Sequence, residues 1–157
     1  MFSAVLAATR SSCKHLHTGA VVIKDKRIIA AGYNGAPPGI VNCLERGCRK
    51  DREGVSFDDK GKGVCRGIHA ELNALSQVSR EVLKDANTTL YTVYLPCSSC
   101  AKFLVGAGIK EVVYLKVYEE SDILTKELFS ESGTILRQMT IDSEKLCSII
   151  KEVLNRK

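Results

Sequence analysis

Two short motifs place side chains of the kinds that bind metal ions at the starts of two predicted helices. Residues 69–74 read HAELNA, with His69 and Glu71 two positions apart, and residues 96–100 read PCSSC, with Cys97 and Cys100 three positions apart. Apolar residues recur at helical spacing after His69, and the segment after Cys97 also has a helical pattern. If these ligands act together, the fold must bring the N-termini of both helices to one point.

The ligand types in these motifs favour a catalytic metal centre. One imidazole and two thiolates leave a tetrahedral Zn²⁺ with one open position, which is the pattern of catalytic zinc sites. Helix N-termini stabilise thiolate, the form that the metal requires. Glu71 is not needed as a ligand, so its carboxylate can take and redeliver a proton beside a zinc-activated water. A lone C-x-x-C also occurs in structural zinc sites and redox pairs, and HAE can arise by chance, but the pairing of the motifs favours catalysis.

The order of predicted elements indicates an α/β fold. Two β-branched runs within residues 18–34 are joined by KDK, which predicts a hairpin. Strands then alternate with helices, which implies a sheet covered by helices. We expect helices over 2–12, 69–83, 98–108, 122–132 and 142–156, and further strands over 88–95, 111–118 and 133–139. Without an internal repeat or a domain boundary, residues 1–157 are expected to form a single domain with a cysteine-bearing insert at about 40–67.

Composition and charge limit the classes of protein to which this sequence can belong. Hydrophobic residues make up 45% of the sequence, and no apolar run approaches the roughly 20 residues needed to cross a bilayer. The N-terminus lacks the basic segment of a secretory signal, which predicts a cytoplasmic protein. The net charge of +5 comes from scattered lysines and arginines, so neither a membrane nor nucleic acid is expected as the main partner.

The cysteines indicate metal chemistry more than disulfides. There are seven, and an odd number of clustered cysteines in a reducing compartment argues against a complete disulfide framework. Cys147 stands apart in an apolar helical pattern, which favours a small buried hydrophobe. The remaining four, outside the PCSSC motif, are Cys13, Cys43, Cys48 and Cys65.

Several segments together resemble the cytidine/deoxycytidylate deaminase superfamily, and most closely the deoxycytidylate (dCMP) deaminases. His-x-Glu followed by Pro-Cys-x-x-Cys is a known signature of zinc deaminases. The other matching segments span most of residues 10–120: RSSC, TGAVVIKD, GYNGAPPG, the cysteine four residues before HAELNAL, LYTVYLPCSSCAKFLVGAGIKEVVYL, and VYEE. The resemblance implies a three-layer α/β/α cytidine-deaminase-like fold with a central mixed five-stranded sheet.

The resemblance also implies a reaction, in which dCMP is hydrolysed to dUMP and ammonia. Zinc on His69, Cys97 and Cys100 would activate the water that attacks C4 of cytosine. Glu71 would protonate N3 and later the leaving amine. The N–H of Ala70 would donate to the C2 carbonyl oxygen, and the carbonyl of Leu95 would accept from the amino group. Asn34 would contact the sugar. A turn asparagine is an equal alternative for Asn34.

The remaining cysteines and the phosphate contacts follow from the same resemblance. Cys13, Cys43, Cys48 and Cys65 would hold a second, structural zinc that fastens the insert to the first helix, with His15 or His17 as possible substitutes for Cys48. The alternative is a set of ordinary reduced cysteines. The resemblance implies basic residues just after the first cysteine, where this chain has Lys14, His15 and His17, and the absence of an arginine there weakens the monophosphate assignment if an arginine normally binds the 5′-phosphate. The candidates for the 5′-phosphate are Lys14, His15 and Tyr118.

Other functions stay open at this stage. The resemblance implies a homo-oligomer, a hexamer or a dimer, with dCTP and dTTP as effectors acting near the GYNG loop. Alternative substrates are CMP, a modified cytosine nucleotide, and the cytidine or adenosine of tRNA or single-stranded nucleic acid. A zinc-stabilised binding domain without turnover is a further alternative, which the presence of Glu71 argues against.

Overall fold

A computed structural model describes residues 1–57, 59, 63–84, 87–118 and 123–156. In chain order its elements are α1 (Phe2–Ala8), β1 (Gly19–Lys24), β2 (Arg27–Tyr33), α2 (Cys43–Arg46), α3 (Arg49–Arg52), α4 (Ala70–Leu75), α5 (Arg80–Lys84), β3 (Thr88–Tyr94), α6 (Ser98–Ala107), β4 (Glu111–Lys116), α7 (Ile123–Ser132), β5 (Ile135–Gln138) and α8 (Ser143–Asn155).

The five strands form one mixed sheet in the order β2-β1-β3-β4-β5. β1 pairs antiparallel with β2 and β3, whereas β3, β4 and β5 pair in parallel. Asp25 and Lys26 both have positive φ, 47° and 66°, which is typical of the tight turns that match the twist of a hairpin. The predicted hairpin and the mixed five-stranded sheet are therefore confirmed.

Two glycines let helices approach the two faces of the sheet. A Cβ on Gly19 would overlap the backbone of α1 at Ala4 and Ala8, and a Cβ on Gly32 would overlap the backbone of α4. Gly32 pairs with Ala20, the residue next to Gly19, and successive strand residues face opposite sides. Therefore α1 and α4 lie on opposite faces, and the predicted three-layer α/β/α arrangement is confirmed.

The main core lies on the face that carries α4. The register places Leu90, Val112 and Leu136 side by side across β3, β4 and β5. Leu104 of α6 and Phe129 of α7 are fully buried in the same cluster. This packing fixes α4 and α6 against the same sheet face, so their N-termini can share one site.

Three expectations about helices need correction. The first helix ends at Ala8 instead of residue 12, and residues 69–83 form two short helices, α4 and α5, separated by a turn. The Ser76 hydroxyl donates to the carbonyl of Asn73, a local bond of the kind that competes with helix continuation. The prediction that Cys147 is buried is wrong, because no residue of α8 is buried.

The cysteine-bearing insert contains ordered local structure. α2 begins after Asn42, whose side chain accepts from the N–H groups of Leu44 and Glu45. α3 begins at Arg49, two residues after Gly47. At the far end of the insert, Ile68 and Gly35 exchange two backbone hydrogen bonds, which fasten it to the loop after β2. None of the helices in the described ranges is long and apolar enough to cross a lipid bilayer.

Candidate active site

The predicted metal ligands come together at the N-termini of α4 and α6. His69 is the N-cap of α4, Cys97 is the N-cap of α6, and Cys100 lies in the first turn of α6. The Nδ1 atom of His69 is 3.5 Å from the Sγ of Cys97 and 3.3 Å from the Sγ of Cys100. The three ligand atoms form one of two candidate metal-binding groups in the described part of the chain.

The spacing of these atoms fits a tetrahedral zinc. Typical Zn–S and Zn–N bonds at tetrahedral angles separate a sulfur from a nitrogen by about 3.6 Å. The two sulfur–nitrogen distances lie close to that value. One nitrogen and two sulfurs are also the donor set of a known class of catalytic zinc site.

The thiols of Cys97 and Cys100 differ in how readily they lose a proton. A hydrogen bond from Cys100 is the largest influence on Cys97 and lowers the pKa of its thiol to about 4, with a further contribution from His69. The same bond raises the pKa of Cys100, as do its burial and the neighbouring Glu71 carboxylate. Cys97 is therefore a thiolate at neutral pH, and metal binding must displace a proton from Cys100.

Glu71 projects from the first turn of α4 into the same site. Only 5% of Glu71 is exposed, and burial raises the pKa of its carboxyl, an effect that His69 opposes. Glu71 also hydrogen-bonds with Cys100, so its carboxyl lies next to the metal ligands. A raised pKa moves the carboxyl towards the range in which a general acid–base both accepts and releases a proton.

Two of the predicted backbone contacts lie at the rim of this site. Ala70 is fully buried at the first position of α4, where a backbone N–H has no partner within the helix. Leu95 follows β3, and its N–H is held by the carbonyl of Lys116 at 2.8 Å. The structure therefore places both segments beside the ligands, and their contacts with substrate stay predictions.

Asn34 has a structural role in the loop after β2. Its Oδ1 accepts from the Thr18 N–H at 2.9 Å and from the Ser11 hydroxyl at 2.7 Å, and its Nδ2 donates to the Leu16 carbonyl at 2.7 Å. These bonds tie the segment between α1 and β1 to the GYNG loop. The second N–H of Nδ2 is the donor with which the predicted sugar contact could be made.

The four other cysteines gather between α1 and the insert. Burial raises the pKa of Cys43, and so do Cys48, Cys13 and Cys65, which all lie close enough to act on it. Backbone N–H groups point at two of the sulfurs, from Leu16 to Cys13 at 3.5 Å and from Gly67 to Cys65 at 3.4 Å. The set of four cysteines stays a prediction, and the ligand atoms of His15, Cys48 and Asp51 form the second candidate metal group in the described residues.

The predicted phosphate contacts differ in their surroundings. His15 is bound by a carboxylate, with its Nε2 2.6 Å from Asp51, while Lys14 is exposed. Tyr118 packs edge-on against both Phe57 and Tyr94. The glutamates that follow it in VYEE lie outside the described residues. The sequence did not indicate Asp51 and Phe57, because neither lies in a recognisable motif and both contact His15 only through the fold of the insert.

Comparisons with known proteins agree with this geometry. The family model described as "Cytidine and deoxycytidylate deaminase zinc-binding region" matches residues 1–116. The chain is 43% identical over 115 residues to a deoxycytidylate deaminase of Mycobacterium phage D29, covering 72% of this chain and 88% of the relative. It is 37% identical over 141 residues to a deoxycytidylate deaminase of Saccharomyces cerevisiae, covering 90% of this chain and 44% of the relative.

Among solved structures, the chain resembles a dCMP deaminase from the cyanophage S-TIM5, crystallised in complex with dCMP and dUMP. The TM-score is 0.69 at 28% identity, with 88% of this chain and 92% of the other covered. Three of the curated relatives are longer, since the chain spans 67%, 44% and 42% of their lengths.

The fold and the paired motifs thus define a zinc-binding deaminase domain. The chain belongs to the cytidine and deoxycytidylate deaminase family.

Proposed function

We propose that this protein is a zinc-dependent hydrolase that converts dCMP to dUMP and ammonia. The observation that carries the proposal is the convergence of His69, Cys97 and Cys100 beside the buried carboxyl of Glu71. The phage and yeast relatives that are deoxycytidylate deaminases, and the dCMP-containing cyanophage structure, support the substrate.

In this proposal each residue has a defined task. His69, Cys97 and Cys100 hold the catalytic zinc, which when bound acts as a Lewis acid that activates water near neutral pH. Glu71 moves a proton to N3 of the cytosine ring and then to the departing amino group. The N–H of Ala70 holds the C2 carbonyl oxygen, and the carbonyl of Leu95 accepts from the amino group.

Further contacts position the nucleotide. Asn34 contacts the sugar, and Lys14, His15 and Tyr118 are the candidates for the phosphate. Because Asp51 already binds His15, a phosphate at this point would compete with a carboxylate for the imidazole. Lys14 and His15 are both exposed.

A second, structural zinc on Cys13, Cys43, Cys48 and Cys65 is part of the proposal. The effect of the other three cysteines on the pKa of Cys43 supports this set. A closed site of four thiolates would fasten the insert to the segment after α1 and would contribute directly to folding. The combination of His15, Cys48 and Asp51 is the alternative ligand group.

The wider setting of the enzyme is proposed on the same family grounds. We infer that residues 1–157 form a single domain and that the protein is cytoplasmic and acts as a homo-oligomer, a hexamer or a dimer, with dCTP and dTTP as effectors. α8 exposes apolar side chains, including Val153 and Leu154, and an oligomer contact would cover them.

A substrate panel tests the proposed function. Ammonia release is measured with cytidine, CMP, dCMP and dCTP, and with a tRNA transcript, on protein of known zinc content. The proposal predicts the highest kcat/KM with dCMP. A higher kcat/KM with CMP or with the transcript would assign the site to one of the alternative substrates, and turnover of none of them would contradict the proposal.

A further inference from the structure

Lys50 of α3 is a buried cation whose ammonium group is held by the backbone of the insert. Lys50 is 7% exposed, and its Nζ donates to the carbonyls of Ser56, Phe57 and Asp59 at 3.3, 2.6 and 2.8 Å. An ammonium has three N–H donors and no acceptor, so these three carbonyls match its full capacity. Burying a lysine ammonium costs free energy unless it is hydrogen-bonded in this way. We therefore expect the arrangement to serve a structural or functional role.

The bonds to Lys50 fix the turn that presents Phe57. The carbonyl of Lys50 also accepts from the N–H of Val55 at 2.9 Å, so both its side chain and its backbone hold the chain that follows α3. The Nζ of Lys50 lies 5.5 Å from the centroid of the Phe57 ring. Lys50 therefore contacts both the backbone and the ring of Phe57.

Phe57 connects the insert to the edge of the candidate active site through a row of rings. Its ring stacks on His15 at 5.0 Å between centroids and meets Tyr118 edge-on at 6.4 Å. Tyr118 in turn meets Tyr94 at 6.3 Å. Tyr94 ends β3 on the sheet face that carries α4 and α6, three residues before Cys97.

We propose that Lys50 is a positioning residue that holds Phe57 in this row and so shapes the wall that receives the nucleotide. The inference rests on the proposed function, because the row includes His15 and Tyr118, two candidates for the phosphate contact. Lys50 does not touch the reacting atoms. Without Lys50, this wall would become ordered only when substrate binds. The free-energy cost of that ordering would weaken the binding of substrate and transition state equally.

The test compares Lys50→Met, which keeps most of the side-chain length and removes the donors, with the wild-type enzyme. We expect KM for dCMP to rise about tenfold with kcat within about twofold, the pattern of lost uniform binding. We also expect chymotrypsin to cut after Phe57 faster, since the half-buried ring would be released. Lys145→Met on α8, an exposed lysine, is the matched control and should change neither quantity.

A second variant and the metal content keep the test decisive. Phe57→Leu leaves the ammonium in place and should show the same rise in KM, even if Lys50→Met fails to fold. An unchanged KM in Phe57→Leu, or in a folded Lys50→Met protein, would overturn the proposal, as would a fall in kcat that follows loss of zinc. If the wild-type chain does not deaminate dCMP, the proposed function fails, and the rate of cleavage after Phe57 alone decides the role of Lys50.

Discussion

Glu71 carries an electrostatic conflict at the centre of the site. Its carboxyl is buried, which favours the neutral form, and a protonated His69 would favour the charged one. A bound divalent cation would shift this balance towards the carboxylate. Without metal, the folded protein must either protonate Glu71 or keep an ionised group away from water.

This conflict predicts how the stability of the zinc-free protein depends on pH. Because folding raises the pKa of Glu71, the folded state holds a proton that the unfolded state releases above about pH 4.3. The stability that comes from the neutral carboxyl is present below that pH and is lost as pH rises through the folded pKa. Glu71→Gln removes the titration, so its free energy of unfolding should gain on wild type as pH rises.

Urea unfolding of both zinc-free proteins at several pH values measures this difference. The comparison is made at acidic pH, because Glu71 also raises the pKa of Cys100 and its replacement would alter the titration of that thiol. A difference that stays constant with pH, or that favours wild type at higher pH, would show that the carboxyl is not desolvated in the folded state.

At the scale of elements, the position of the site depends on how closely α4 approaches β2. Gly32 allows this contact, since a Cβ there would overlap the backbone at Ala70 and Ala74. Ala70 adjoins the ligand His69, so any displacement of α4 is felt directly at the metal site. The glycine is thus part of the scaffold of the active site, although it lies in a strand.

We expect Gly32→Ala to destabilise the protein by about 1–3 kcal/mol and to weaken zinc binding, because the overlap involves backbone that must move. Gly106→Ala is the matched control. It lies inside α6 with no atom near the added Cβ, so it should stabilise by about 0.5–1 kcal/mol. Thermal unfolding and competition with a zinc chelator measure both effects. Equal stability of the two variants would contradict the close packing of α4 on β2.

The insert between β2 and α4 is the second element on which the account depends. Its short helices cannot be stable alone, since helices of four residues are far below the length that persists in water. Lys50 and the four gathered cysteines are the features that can hold them in place.

The second proposed zinc leads to a prediction of metal stoichiometry. Wild-type protein should contain two zinc ions per chain, and Cys65→Ser should contain one. Cys65 is the exposed member of the cluster and is not one of the three ligands of the catalytic zinc. Its replacement should therefore leave the first ion bound. Elemental analysis after gel filtration gives the count. Two ions in Cys65→Ser would remove this cysteine from the ligand set, and one ion in the wild type would remove the second site.

For the whole molecule, the sequence predicts most of the scaffold because the signals are local. Strand and helix periodicity locates the five strands, and the two motifs locate the ligands at the N-termini of α4 and α6. The resemblance to the deaminase family predicted the three-layer α/β/α arrangement and the mixed strand directions of the sheet. The break after Leu75 and the early end of α1 were missed, because short side-chain and turn bonds overrode the apolar spacing.

Other features depend on contacts that sequence patterns do not encode. The apolar stripe of α8 correctly predicted a helix, but burial of Cys147 would require a surface on which that stripe packs, and no residue of α8 is buried. Similarly, the aromatic row joins residues far apart in the chain, and the ammonium of Lys50 binds carbonyls six to nine residues further along. The hydrogen bonds of Asn34 with Ser11, Leu16 and Thr18 are also visible only in three dimensions.

The most direct test of the central claim measures zinc content and dCMP deamination in the same sample of Glu71→Gln. General acid–base groups typically contribute about 10²–10⁴-fold to a rate, and here one carboxyl handles two proton transfers. The account predicts full occupancy of the catalytic zinc, since the amide leaves His69, Cys97 and Cys100 in place, with kcat reduced at least about 10³-fold. Wild-type turnover by a zinc-loaded Glu71→Gln enzyme would contradict it.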